Sequence, residues 1–392
     1  MPPATTPPPS ASVVDLTDEQ LREALVLKWG AARPGVLAAW VAEMDYALDP
    51  VVASAVTEAV QRGVTGYPVS DGGTGVGLAL AGFAARQWDW SIDPDDVVLC
   101  GDVMSGVRLA LEVLSDPGQV VVPTPTYPPF LDVVGLTGRR RVDVPLDPDC
   151  ERAELDLDRV EAALAAGART VLLCQPHNPW GRVFDRTELE ALRDVVVRHG
   201  ARVISDEIHA PLVLPGARHV PYLSLDGTSD HAVTVTAASK AWNTPGLKCA
   251  QVVTADPVTT ARLRALPLVS NHGLSPLGAV AAVAAYTRGE PWLAALRTRL
   301  GAQRDLFTAL VTEHLPSARV RPLEATYLAW VDARGYGHAD PAGLALREGH
   351  VWVMGGDDFG SGGAGHVRVN LATSPDRLRA VVERLSRAWT VP

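Results

Sequence analysis

The stretch Thr236-Ala237-Ala238-Ser239-Lys240-Ala241-Trp242-Asn243-Thr244-Pro245-Gly246-Leu247-Lys248 decides how the rest of the chain is read. The strand-forming run Ala232 to Thr236 passes here into small and hydroxylic residues, then into a lysine. Pro245 and Gly246 forbid a long helix, and a second lysine, Lys248, follows. A lysine leaving a buried strand cannot keep its charge unpaired, so it pairs with an anion or reacts. Taken alone, the stretch fits a surface lysine just past a strand end. It also fits a buried amine held among small residues to engage an aldehyde cofactor as a Schiff base. The choice between the two lies further out in the chain.

Outward from this stretch, strands and helices alternate. Apolar runs at 97–100, 119–123, 141–145, 170–174, 202–206, 232–236 and 251–254 are separated by predicted helices, among them 105–114, 156–166 and 185–199. Short apolar strands between helices predict an α/β fold, with a mainly parallel sheet flanked by helices on both faces. In such sheets ligands sit at the carboxyl ends of the strands.

Polar clusters fall at those ends. Val103-Met104-Ser105-Gly106 opens a helix whose free N–H groups suit a phosphate, although an ordinary serine N-cap explains it by itself. Thr124-Pro125-Thr126-Tyr127-Pro128-Pro129-Phe130 puts a ring on a rigid loop, either as a plain turn or to stack on a flat cofactor. Gln175-Pro176-His177-Asn178-Pro179 projects an amide. Ser205-Asp206-Glu207-Ile208-His209 sets two carboxylates and an imidazole directly after Val203-Ile204, where burial demands partners. No further ligand cluster at suitable spacing supports a metal there. His366-Val367-Arg368-Val369-Asn370 carries Arg368 on a strand, where a plain surface arginine is the alternative.

A chain of 392 residues is too long for one core. The expected organisation is a Pro-rich disordered tail over 1–14 and an N-terminal arm over 15–50, which completes part of the small domain. A large domain over 51–289 and a small C-terminal α/β domain over 290–392 follow, with a long helix from Pro291 to His314 between them. A hydrophobic content of 47% with 20% charged residues is that of an ordinary globular protein. A net charge of -10 argues against a nucleic-acid partner or an anionic membrane surface. No apolar run approaches the ~20 residues that span a bilayer. The first dozen residues lack the basic and apolar regions of a signal peptide. Four cysteines without paired spacing, two of them ending apolar runs, suit a reducing compartment, and a cytoplasmic location is expected.

Order and spacing bring the clusters together. Asn178-Pro179, then Asp206-Glu207-Ile208-His209 with Asp206 28 residues after Asn178, then Ser239-Lys240 with Lys240 34 residues after Asp206, then Arg368, form one series. This series resembles the fold-type I pyridoxal-phosphate (PLP) enzymes of the aspartate aminotransferase superfamily. Lys28-Trp29, the run Trp40 to Tyr46, Gly66-Tyr67, Tyr127-Pro128-Pro129-Phe130, the run Ala325 to Trp330 and Phe359-Gly360 are similar to the MalY/PatB-type cystathionine β-lyase (C–S lyase) branch.

The resemblance implies PLP as cofactor, no metal, and an amino-acid substrate. Lys240 is implied as the Schiff-base lysine and the acid/base at Cα, Asp206 as the partner of the pyridinium nitrogen, and Tyr127 as the ring stacked on the cofactor. Asn178 is implied as donor to the phenolic oxygen, with His209 beside it. The phosphate is expected on the backbone of Met104 and Ser105, on Ser239 and Lys248, and on Tyr67 from a neighbouring subunit of a homodimer with shared active sites. Arg368 is expected to clamp the α-carboxylate, with Ala42 and Asn178 nearby.

The implied activity is β-elimination from cystathionine or a related cysteine S-conjugate, giving a thiol, pyruvate and ammonia. The alternatives are an aminotransferase, or an enzyme of specialised metabolism acting on a cysteine S-conjugate, including by decarboxylating oxidative deamination. The alternative from another class is a PLP-binding regulatory or interaction protein that keeps the fold without turnover; a DNA-binding version is expected to carry a basic helix-turn-helix extension, for which this N-terminus reads as too short and too poor in charge. Lys248 stands where many aminotransferases have arginine, which makes the phosphate grip a point charge. Trp242 and Tyr46 also depart from the branch pattern, and both are expected to reshape the substrate pocket.

Overall fold

The computed structural model describes residues 12–69, 72–115 and 117–390. Most of the expected tail therefore lies outside the described residues. Its last part is tied down: Val13 packs on the core, and the Val14 carbonyl accepts the Ala47 N–H at 2.9 Å. The arm continues with the helix Asp18–Ala24, opened by a capping box between Thr17 and Gln20. A π-helical turn, Val26–Gly30, then buries Lys28 and Trp29.

Thirteen strands follow the chain among the described residues: β1 (Leu37–Ala38), β2 (Val97–Cys100), β3 (Gln119–Thr124), β4 (Arg140–Pro145), β5 (Ala168–Cys174), β6 (Arg202–Asp206), β7 (Ala232–Thr236), β8 (Ala250–Val253), β9 (Arg319–Val320), β10 (Leu328–Asp332), β11 (Val351–Trp352), β12 (Met354–Gly355) and β13 (His366–Asn370). β2 to β8 form a seven-stranded sheet in the order β2-β8-β7-β6-β5-β3-β4. Every neighbouring pair is parallel except the two made by β8, which alone runs against the rest.

The strands are Val-rich because both faces are covered. Side chains alternate between those faces. In β3, Val120 and Val122 pack with the helix Val103–Leu114, whereas Val121 packs with the helices Leu157–Ala165 and Arg186–Arg198 on the other side. The caps are those the sequence signals: Asp156 and Asp185 each accept an N–H from the first turn of the helix that follows.

A four-stranded antiparallel sheet, β12-β13-β10-β9, lies beyond the helix Glu290–His314 and sets Trp330 opposite Arg368. The extended run after His350 divides at the buried Val353. β11 pairs with β1 of the arm, while β12 pairs with β13. The arm captures the first half, so one continuous pairing is impossible. No helix of the described residues is long and apolar enough to cross a membrane.

Candidate active site

A cavity of about 210 Å³ opens at the carboxyl edge of the seven-stranded sheet. Ala42, Met104, Tyr127, Asn178, Asp206, His209, Ser239, Lys240 and Lys248 all line it. Parallel strands bring these residues together. Met104 follows β2, Tyr127 follows β3, Asn178 follows β5, Asp206 ends β6, and Lys240 lies just after β7. Ile208 and Cys174 add apolar wall.

Lys240 Nζ donates to the Ala42 carbonyl at 2.9 Å. Burial, reinforced by the nearby Arg368 charge, lowers its pKa to about 8. Asp206 accepts the Ile208 N–H at 3.0 Å, and burial raises its carboxyl to about 7. Burial, together with Lys240 and Arg368, lowers His209 to about 3, so its ring is neutral at physiological pH. Its Nδ1 is buried without a hydrogen-bond partner. Tyr127 is edge-on to Phe130, with ring centroids 5.8 Å apart.

Arg368 is buried behind Asn178. Its guanidinium donates to Asn178 Oδ1 at 3.0 Å and to the Trp40 carbonyl at 3.1 Å, and burial lowers its pKa to about 10. Asp206 and Arg368 are thus buried and Lys240 half-buried, with no ion-pair partner for any of them among the described residues. Buried charges without partners are unfavourable unless a ligand supplies the counter-charge.

The phosphate-binding end differs from the expectation in one respect. The helix after β2 starts at Val103 and is capped by Asp102, not by Ser105. Asp102 Oδ1 accepts the Ser105 N–H at 2.8 Å, and its Oδ2 pairs with Lys248 Nζ at 2.8 Å. Two donors expected to meet the phosphate are therefore held by a carboxylate the sequence reading passed over. The hydrogen bonds from Ser105 and Lys248 keep the Asp102 carboxyl below its usual range against the effect of burial. Met104, in the first turn, has no carbonyl one turn back to receive its N–H. Tyr67 does not reach this cavity: it is 90% exposed on a separate groove beside His272.

Trp242 and Tyr46 do not shape the cavity as expected. Trp242 is buried against Phe83 and Tyr286, with ring centroids 5.8 and 5.9 Å away, and its indole leaves no room for a side chain at Gly289. Two residues beyond Lys240 in a tight turn, its side chain points to the opposite side. Tyr46 is buried with its hydroxyl on the Thr373 carbonyl at 3.0 Å and its ring under Arg299.

Other residues were missed because their contacts are long-range. The Asn243 amide donates to the Met44 carbonyl and accepts the Met44 N–H, both at 2.9 Å, and so ties the lysine turn to the arm. The Tyr327 hydroxyl donates to the same Ala42 carbonyl as Lys240, at 2.9 Å. Asn370 Nδ2 donates to the Val41 and Glu43 carbonyls at 2.7 Å each. Tyr327 and Asn370 lie inside motifs already singled out; only their partners were invisible.

This donor set fits PLP: an amine for its aldehyde, a carboxylate for its ring nitrogen, an aromatic ring for its face, and a helix start with an ammonium for its phosphate. At the carboxyl edge of such a sheet, the set defines a fold-type I PLP-dependent enzyme. Residues 41–385 match the family aminotransferase class I and II, and the chain belongs to that family.

Within it, the chain is 42% identical to a Mycobacterium leprae protein provisionally named cystathionine β-lyase, over 95% of this chain and 97% of that protein. It is 36% identical to the cystathionine β-lyase of Corynebacterium glutamicum, over 94% of this chain and 98% of that protein. Cystalysin from Treponema denticola, whose crystal structure contains PLP, superposes with a TM-score of 0.88 at 25% identity, covering 94% of this chain and 96% of that chain.

Proposed function

We propose that the chain is a PLP-dependent carbon–sulfur β-lyase acting on cystathionine or a related cysteine S-conjugate. The observation that carries the reading is that Lys240 and Asp206 line one cavity with Asn178, behind which Arg368 is buried, and that none of the three charged residues has an ion-pair partner among the described residues. The likeness to proteins named cystathionine β-lyase favours elimination over transamination.

Bound PLP supplies an aldehyde for amines and a cationic ring that accepts the electron pair released at the substrate Cα. Lys240 would hold the cofactor, and its amine, once displaced by substrate, would take the Cα proton. Asp206 ionises when a ring cation faces it, because an opposite charge favours the carboxylate. Arg368 receives the α-carboxylate, and its pKa of about 10 keeps it charged at neutral pH. Asn178 holds one edge of that guanidinium, and the Trp40 carbonyl holds another. The buried wall excludes water until the Cβ–S bond breaks and the thiolate leaves with its electron pair. Water and L-cystathionine then balance to homocysteine, pyruvate and ammonia.

The reading extends to the assembly. The residues 15–50 serve as an arm, 51–289 as a large domain and 290–392 as a small one, and the active enzyme is a homodimer. Exposed Tyr67 supports the dimer, since a tyrosine directed away from its own cavity is free to serve a neighbour's phosphate. Four free cysteines, three of them buried, suit the cytoplasm.

The test is to incubate the purified holoenzyme with L-cystathionine and no keto acid. Pyruvate release is expected. Products that form only when 2-oxoglutarate is added would assign the chain to transamination instead.

A further inference from the structure

We propose that Phe359 is a positioning residue that joins the carboxylate-binding arginine to the loop carrying Tyr127. The inference rests on the reading of Arg368 as the carboxylate clamp. Phe359 is fully buried at the end of the short turn Gly356–Phe359. Its ring lies under the Arg368 guanidinium, 5.0 Å from Cζ to the centroid. Trp330 backs that ring edge-on at 5.1 Å. The same residue's carbonyl accepts the N–H of Thr126, the neighbour of Tyr127, at 2.9 Å. One residue thus touches the substrate clamp through its side chain and the cofactor-facing loop through its backbone.

The surroundings of Arg368 give the ring a task. The terminal nitrogens reach Asn178 Oδ1, the Trp40 carbonyl and Met354 Sδ, while Nε is buried with no partner. These contacts hold the edges of the guanidinium, and the Phe359 face holds its plane. A planar fork recognises a carboxylate bidentately only when that plane is set. Gly360 makes the joint possible. Its φ of 84 and ψ of -156 lie in a region that glycine alone adopts readily, and a Cβ there would stand 3.3 Å from the Leu131 side chain.

Phe359→Leu keeps apolar bulk and the carbonyl but removes the aromatic face. In the holoenzyme the expected result is a rise in KM for L-cystathionine of about three- to thirty-fold, the range of a cation–π contact. The kcat, the PLP affinity and the cofactor absorbance are expected to stay near those of the parent. Inhibition by L-alanine should weaken in parallel, while inhibition by ethylamine, which lacks the carboxylate, should not change. Phe359→Tyr, which restores the face, should recover the KM. Gly360→Ala should shift both the KM and the cofactor absorbance, since it moves ring and carbonyl together.

An unchanged KM in Phe359→Leu would overturn the proposal, and so would equal weakening of L-alanine and ethylamine. Arg368→Lys separates this inference from the reading beneath it. If that variant still distinguishes L-alanine from ethylamine as the parent does, the clamp reading itself fails. If it loses the distinction while Phe359→Leu keeps it, only the role of Phe359 fails.

Discussion

Lys240 meets an acceptor, the Ala42 carbonyl, and burial together with the nearby Arg368 charge disfavours its cation more than Glu43 and Asp206 favour it. The amine is therefore neutral above about pH 8, whereas an ordinary lysine reaches that state only near 10.5. Only the neutral amine attacks an aldehyde, so capture of PLP by the cofactor-free protein should speed up as pH rises through about 8 and level off above it. Stopped-flow absorbance across that range checks this, and a rate still climbing steeply at pH 10 would contradict it. Lys240→Ala should lose both the capture and the yellow adduct that borohydride fixes. Lys240, Asp206 and Asn178 were legible in the sequence because each ends a strand within a short local motif. Asp102 was not, because nothing local marks it as the partner of Lys248, 146 residues away.

The arm shows what an element adds. Lys28 and Asp45 form a buried ion pair at 2.8 Å, with Trp29 Nε1 on the same carboxylate oxygen at 2.7 Å and Lys28 also on the Glu43 carbonyl at 2.9 Å. Burial lowers the Lys28 pKa, and Asp45 opposes that shift. This knot holds the 40–46 segment, which presents the Ala42 and Trp40 carbonyls to Lys240 and Arg368. Asp45→Ala leaves a buried cation unpaired and should destabilise the fold by about 3–5 kcal/mol. Denaturant titration measures the loss, and a change below about 1 kcal/mol, the range of exposed pairs, would show that the pair is not buried in solution. The helices and strands were legible from periodicity and caps. The division at Val353 was not, because the pairing of β11 depends on an arm more than 300 residues earlier.

At the scale of the molecule, the exposed Tyr67 and the apolar Leu268 and Val269 near its groove remain without a role in a single chain. A dimer that buries them and lends Tyr67 to the neighbour's phosphate gives them one. Sedimentation should find at least a dimer, and Tyr67→Phe should weaken PLP binding roughly 10- to 100-fold, as loss of a hydrogen bond to a charged group does. A fully active monomer would refute this arrangement. The sequence by itself determined the α/β class, the order of the strands along the chain, and the residue types waiting at their ends. Those follow from local periodicity, turn chemistry and the cost of burying charge. Only the tertiary structure decided that Trp242 turns into the core, that Tyr46 lies under Arg299, and that Asn243 fastens the lysine turn to Met44. The direction of a side chain at a turn depends on what packs behind it, and those neighbours come from distant parts of the chain.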